Sequence, residues 1–181
     1  MWHFHPLHLH GAYLIDMPAF DDARGMFVKS FHTSALLHKG IDFKPRESYF
    51  SLSKKNVIRG MHFQMPPYHH SKIVFCPQGA ILDVVVDLRK GSTTYGQFHA
   101  EELSAANHKA YYIPEGFAHG FKSRSDDAIT YYLVSTEYSQ EHDAGIRYDS
   151  IGFNWEVKDP VLADRDLSFG GLNDFHTPFS L

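Results

Sequence analysis

The chain has 181 residues, 43% of them hydrophobic, 15% aromatic and 21% charged, which fits one domain with a real core and excludes a disordered or fibrous chain. A net charge of −4 without any Lys/Arg-rich run argues against nucleic acid as the main partner. A single cysteine, Cys76, excludes a disulfide framework and fits a reducing compartment, so a cytoplasmic protein is expected; fourteen histidines beside it point to metal binding, acid–base chemistry or mere composition.

Read from the N-terminus, His3, His5, His8 and His10 sit in a mostly polar, edge-like segment and are expected at the surface. No basic stretch followed by an apolar core precedes them, so no secretory signal is expected. Short β-branched and aromatic runs then recur at close spacing: Ala12–Asp16, Met26–Phe31, Tyr49–Ser53, Val57–Phe63, Lys72–Cys76, Ala80–Leu88, Gln97–Leu103, Ala110–Ile113, His119–Lys122 and Ile129–Ser135. Turns fall between them at Arg24-Gly25, Lys39-Gly40, Pro77-Gln78-Gly79, Lys90-Gly91-Ser92, Pro114-Glu115-Gly116 and Ser125-Asp126-Asp127. Only Thr33–His38 and the segment after Asp159 read as helical. The longest apolar stretch, Ala80–Val86, is broken by Asp83, so no membrane span is expected. Without repeats or a Pro/Ser-rich linker, residues 1–181 read as a single all-β domain, an antiparallel sandwich or jelly-roll barrel whose inward faces line a ligand cavity.

Four segments carry candidate chemistry. In Arg59-Gly60-Met61-His62-Phe63-Gln64, strand alternation puts Arg59 and Met61 on one face and Gly60, His62 and Gln64 on the other. Lys72 opens the next strand, so a base and a cation for developing negative charge stand on neighbouring strands. Ile113–Phe121 combines a Pro/Gly turn with His119 between small residues, which leaves room for a ligand. Tyr131 and Tyr132 are adjacent in one strand, so only one ring faces inward. Asp164-Arg165-Asp166 by itself passes for a solvated turn, as a lone histidine or paired tyrosines by themselves pass for ordinary packing.

Together these residues resemble the dTDP-4-dehydrorhamnose 3,5-epimerase family, the RmlC-like cupins, which act on nucleotide-linked 4-keto-6-deoxy sugars. The matching phrases run collinearly from about residue 12 to 167: Asp22-Ala-Arg-Gly25, Ile58-Arg-Gly-Met-His-Phe-Gln64, Asp83-Val-Val-Val-Asp-Leu-Arg89, Ser92-Thr-Thr-Tyr-Gly96, Ile113–Phe121, Tyr132, Tyr138, Glu141, Gly145-Ile-Arg147, Trp155 and Pro160–Asp166. The resemblance implies a cofactor-independent epimerase serving surface-polysaccharide synthesis, with His62 as base oriented by Asp166 and Tyr132 as the opposite-face acid. It also implies Lys72 beside the ketone oxygen, Arg59 and His119 near the pyrophosphate, and Asp83 orienting Lys72. Gln64 and Tyr138 fall among the substrate-binding positions. Arg24 and Phe27 match residues that reach a neighbouring subunit's site, which implies a homodimer.

The chain departs from the family pattern at Glu47-Ser48-Tyr49, where Gln-x-Asn is common, at Lys29 in place of a glutamate, and at Tyr148 in place of a tryptophan. A glutamate adds negative charge near an anionic ligand, and Tyr49 brings bulk while removing amide donors. The expectation is therefore a retained reaction on a different nucleotide or sugar, with CDP- and GDP-linked substrates and inversion at C3, C5 or both left open. A catalytic metal is not expected: Gln64 occupies the second histidine position of a metal cupin, Lys72 repels a cation, and only His69, His70 and His119 remain to complete a site. A 3,4-ketoisomerase and a non-catalytic sugar-nucleotide-binding cupin are the competing readings.

Overall fold

The computed structural model describes every residue from Met1 to Leu181. Its strands are β1 (His3–Pro6), β2 (Tyr13–Asp16), β3 (Ala19–Asp22), β4 (Gly25–Val28), β5 (Glu47–Ser53), β6 (Ile58–Gln64), β7 (Lys72–Gln78), β8 (Ala80–Asp87), β9 (Phe98–Ser104), β10 (Lys109–Ile113), β11 (Phe117–Ser123), β12 (Ala128–Val134) and β13 (Asp143–Gly145). Two short helices, α1 (Thr33–Leu37) and α2 (Asp164–Ser168), and two 3-10 turns, Tyr148–Ser150 and Leu172–Asp174, complete the regular structure. A six-stranded sheet in the order β1-β2-β10-β7-β12-β5 packs against a five-stranded sheet in the order β13-β6-β11-β8-β9, and β3–β4 forms a separate hairpin. This is the jelly-roll sandwich of the cupins.

Residue parity explains the layers. On β7, Val74 and Cys76 point inward to the core shared with Ile81 and Val85 of β8 and Phe117 and Phe121 of β11. The intervening Ile73 and Phe75 point outward, where Leu36, Ile41 and Phe43 of the α1 region cover them. On the other flank, Val84 and Val86 of β8 pack outward under Ile146, Ile151, Trp155 and Phe179 from the C-terminal segment. Because both faces of the central strands are covered, β8 reads as a nearly continuous apolar run rather than an alternating one.

The inward parity also positions polar groups. Lys72, Asp83, His119 and Tyr132 occupy core-facing positions on four strands, yet all lie at one end of the sandwich, where β5, β6 and β13 border an opening. The strand bounds agree with the sequence to within a few residues, apart from the second candidate, Met26–Phe31, which is the shorter β4. The short β1, β3 and β13 lack a β-branched pattern and were not marked by composition. His3 and His5 do lie on an edge strand, as their segment predicts.

One expectation is overturned. On the β6–β11 ladder His119 faces His62 while Phe121 faces Arg59, so two steps on β11 span three on β6. The extra residue is a bulge, which breaks the alternation and lets both Arg59 and His62 reach the cavity. Gly60 makes the bulge possible: its φ is +137°, and a Cβ there would sit 2.5 Å from the Cα of Gly120.

Candidate active site

A cavity of about 380 Å³ opens between the two sheets. Its wall is built by Glu47, Tyr49 and Ser51 of β5, by Arg59, His62 and Gln64 of β6, and by Lys72, His119 and Tyr132 of the neighbouring strands. Tyr138, Asp143 and Arg165 close it at the loop side. That volume suits a small ligand with a few convergent polar groups.

His62 stands on the bulged strand with its side chain partly open to the cavity. Its Nε2 lies 2.8 Å from Oδ1 of Asp166, and the Gly60 amide donates to Oδ2 at 3.1 Å. Helix α2 supplies that carboxylate, which is 4% exposed, so within Asp164-Arg165-Asp166 the last residue is a buried anchor while the first two stay in solvent as an ordinary turn would. Burial works to raise Asp166, but the His62 hydrogen bond and charge, the Gly60 amide and Arg165 outweigh it and hold the carboxyl below its ordinary range. An ionised Asp166 accepts a hydrogen bond from Nε2–H and leaves the Nδ1 lone pair for the cavity.

Lys72 is 6% exposed and makes no ion pair; its Nζ donates to the His62 carbonyl at 3.4 Å. Burial lowers its pKa to about 8, against the opposing pull of Asp143 and Asp83. Tyr132 faces inward while Tyr131 packs outward on Phe75. The Tyr132 ring stacks on Tyr49 at 4.7 Å and meets His119 edge-on at 5.8 Å. Burial, then the neighbouring Tyr49 and Asp83, push its phenol well above 10, so it stays a proton donor at any working pH.

Asp83 does not orient Lys72. Both of its oxygens lie 2.9 Å from Nε2 of His119, because β8 and β11 are adjacent strands and both side chains face the core. This pair is sealed: burial raises Asp83 and lowers His119, the latter also opposed by Lys72 and His62. His119 therefore lines the inner wall with one nitrogen already engaged. Gln64 lines the cavity too, but its amide is spent on the Tyr68 and Glu137 carbonyls and the Ser139 amide.

Tyr49 does bring bulk, as a stacking cover over Tyr132, with its phenol raised to about 12 by burial and by Glu47 and Asp143. Glu47 accepts the Tyr138 amide hydrogen at 2.7 Å. Arg59 is fastened to Ser53 Oγ at 3.1 Å and the Leu52 carbonyl at 3.3 Å on the edge of the opening. Arg24 and Phe27 lie exposed on the β3–β4 hairpin and do not line this chain's own cavity.

The sequence assigns no substrate-site role to four polar wall residues, and offers His70 only as a metal ligand. Asp143 and Arg165 pair at 2.7 Å, joining β13 to α2. Ser51 contributes a buried hydroxyl, and His70 is held neutral, its pKa lowered to about 3 by burial and then by Lys72 and His69. Asp143 and Arg165 carried a faint signal in their nearness to Glu141 and Asp166, and His70 only that of a histidine-rich turn, whereas Ser51 had none. No three His, Cys, Asp or Glu side chains converge to hold a metal ion. No helix is long and apolar enough to cross a membrane.

Comparison with known proteins places this geometry. Residues 6–174 match the family described as dTDP-4-dehydrorhamnose 3,5-epimerase. A protein of that description from Shigella flexneri is 38% identical over 160 residues, 86% of this chain and 87% of its own. A solved dTDP-4-dehydrorhamnose 3,5-epimerase from Bacillus anthracis, with TDP and PPi bound, superposes with a TM-score of 0.91 at 34% identity, covering 94% of this chain and 99% of that one. A 3'-monoepimerase from Streptomyces bikiniensis in complex with dTDP-quinovose superposes at 0.88 with 31% identity, covering 93% and 87%.

Proposed function

Because the chain belongs to the dTDP-4-dehydrorhamnose 3,5-epimerase family, we propose that it inverts C3, C5 or both of a nucleotide-linked 4-keto-6-deoxyhexose through an enolate. The observation that carries this reading is one cavity holding a carboxylate-oriented imidazole, a buried phenol and an unpaired ammonium.

The ketone at C4 acidifies the hydrogens on C3 and C5. His62 Nδ1 takes one of them, and the electron pair moves onto the C4 oxygen. Lys72 stabilises that oxyanion, a contribution of the order of 10²–10³-fold for a well-placed donor. Tyr132 returns a proton to the same carbon from the opposite face, which inverts the centre. Each inversion leaves one proton on His62 and removes one from Tyr132, and exchange with solvent resets both. These steps call on no cofactor. Arg59 holds the pyrophosphate at the opening, where its guanidinium suits a dianionic linker.

The test is a reaction in D₂O with nucleotide-linked 4-keto-6-deoxyglucose, followed by NMR. Deuterium at C3, C5 or both is the expected result. A carbonyl that migrates to C3 would show a ketoisomerase, and an unlabelled, unchanged sugar would show a binding protein.

The assembly is a homodimer in this reading. It is supported by the exposed Phe20, Met26 and Phe27 on the β3–β4 hairpin and by Phe50 and Leu52 on the unpaired edge of β5. Arg24 and Phe27 then reach the partner's cavity. Light scattering should return twice the chain mass. A cytoplasmic site of action is supported by Cys76, a buried thiol raised to about 11 by its surroundings.

A further inference from the structure

The carboxylates around the cavity are matched to cations or imidazoles, with one exception. Asp166 holds His62, Asp83 holds His119 and Asp143 holds Arg165, whereas Glu47 makes no ion pair. One oxygen of Glu47 accepts the Tyr138 amide hydrogen; the other makes no hydrogen bond within the protein. That second oxygen, on a half-buried side chain of the cavity wall, is left to accept from a ligand.

Which part of the ligand arrives there follows from the layout, given the sugar-nucleotide reading above. The reacting sugar is fixed by His62, Lys72 and Tyr132, so the far end of the ligand, its nucleobase, lies at the mouth. The large flat surface there is the Tyr138 ring, 60% exposed and tied by its hydroxyl to Asp143. Planar bases stack on such rings. Glu47 is fastened to the backbone amide of that same residue and stands near the Tyr49 phenol, so it belongs to the same stretch of wall as the Tyr138 ring.

A carboxylate only accepts. Thymine and uracil flank their single ring N–H with two carbonyl oxygens, which a carboxylate repels. Cytosine offers its exocyclic amine, and guanine offers an amine beside a ring N–H. We propose that Glu47 selects the nucleobase, and that the nucleoside diphosphate carried by this enzyme's substrate has an amino-bearing base of the cytosine or guanine type.

The experiment is calorimetric titration of the full chain with CDP, GDP, UDP, dTDP and dCDP. Either CDP or GDP should bind at least tenfold tighter than UDP and dTDP, and dCDP should lie within threefold of CDP. Glu47→Gln keeps an acceptor for the Tyr138 amide and adds an NH₂, so it should shrink the tenfold preference to less than threefold. The proposal is overturned by UDP or dTDP binding as tightly as the amino-bearing nucleotides, or by a preference that survives Glu47→Gln. It is equally overturned if CDP binds tightly while dCDP binds as weakly as UDP, which would make the ribose 2'-hydroxyl the recognised donor. Should Glu47→Gln fail to fold, the wild-type ranking decides alone. These titrations need no turnover: dTDP-preferring binding with deuterium exchange intact defeats the base assignment and leaves the epimerase reading standing. CDP-preferring binding without exchange does the reverse.

Discussion

Two histidine–aspartate pairs stand side by side in this molecule, on residues that face each other across the β6–β11 ladder. In His62–Asp166 the contact is 2.8 Å, in His119–Asp83 it is 2.9 Å, and neither sequence spacing nor bond length separates them. What separates them is solvation and second partners. Asp166 gains the Gly60 amide and the nearby Arg165, enough to overcome its burial and keep it ionised, while the imidazole it holds looks out on the cavity. Asp83 has only His119 and a more distant Lys72 against complete burial, so its carboxyl is raised and its partner's imidazole is lowered. The same two side chains thus make a proton acceptor in one place and a sealed structural tie in the other. Proximity defines the pair, and the dielectric environment defines its use.

The comparison can be broken by mutation. His62→Ala should reduce deuterium incorporation by at least about 10²–10⁴-fold, the range for loss of a general base. Asp166→Asn, which disturbs the tautomer, should fall within about 10³–10⁴-fold. Equal losses for the substitutions at Asp83 would erase the distinction drawn above.

Lys72→Met should lower exchange by about 10²–10³-fold. It also sharpens the electrostatic account. The folded pKa of about 8 lies below the ordinary lysine value, so between the two the unfolded chain binds more protons and stability rises with pH. The cost of burying the charge is therefore full below pH 8, and its removal should raise the unfolding free energy at pH 7 by roughly 1–3 kcal/mol. In the wild type, the rate should decline as pH rises through about 8 and the ammonium is lost. A pH-rate profile flat to pH 10 would show that the charge is not used.

Tyr132→Phe should slow inversion by about 10²-fold while leaving the first exchange less affected, since the base side is intact. Equal loss of both steps would contradict the opposite-face assignment. The smallest rate effect is expected for Asp83→Asn: less than about tenfold in exchange, with a stability loss of about 1–3 kcal/mol from the imperfectly paired His119. A chemical-denaturation curve beside the exchange assay checks both halves.

The sequence was most legible where periodicity and chemistry coincide. The apolar runs of β7 and β8 mark core strands because both their faces are buried, and parity says that only one of Tyr131 and Tyr132 faces inward while the family resemblance chooses Tyr132. Family resemblance, rather than spacing, linked His62 to Asp166 across 104 positions. Alternation failed at Arg59 because a bulge is a property of two paired strands, and only one of them is visible in a local window. Asp83 was assigned to Lys72 for a similar reason. Its true partner is chosen by the adjacency of β8 and β11, which no residue in either strand announces. Ser51 and His70 are common residue types whose place in the wall depends wholly on how the sheets close.

The anchoring of His62 by α2 has one more consequence. The six-stranded sheet is complete once β12 has paired with β5 and β7, and the strands up to that point already carry the phenol, the ammonium and the imidazole. The carboxylate that turns that imidazole into an acceptor comes from beyond residue 160 and docks onto β6 through the Gly60 amide. Reactivity is thus divided between the sheets and the tail: a chain cut before residue 160 would keep the base but lose the carboxylate that orients it.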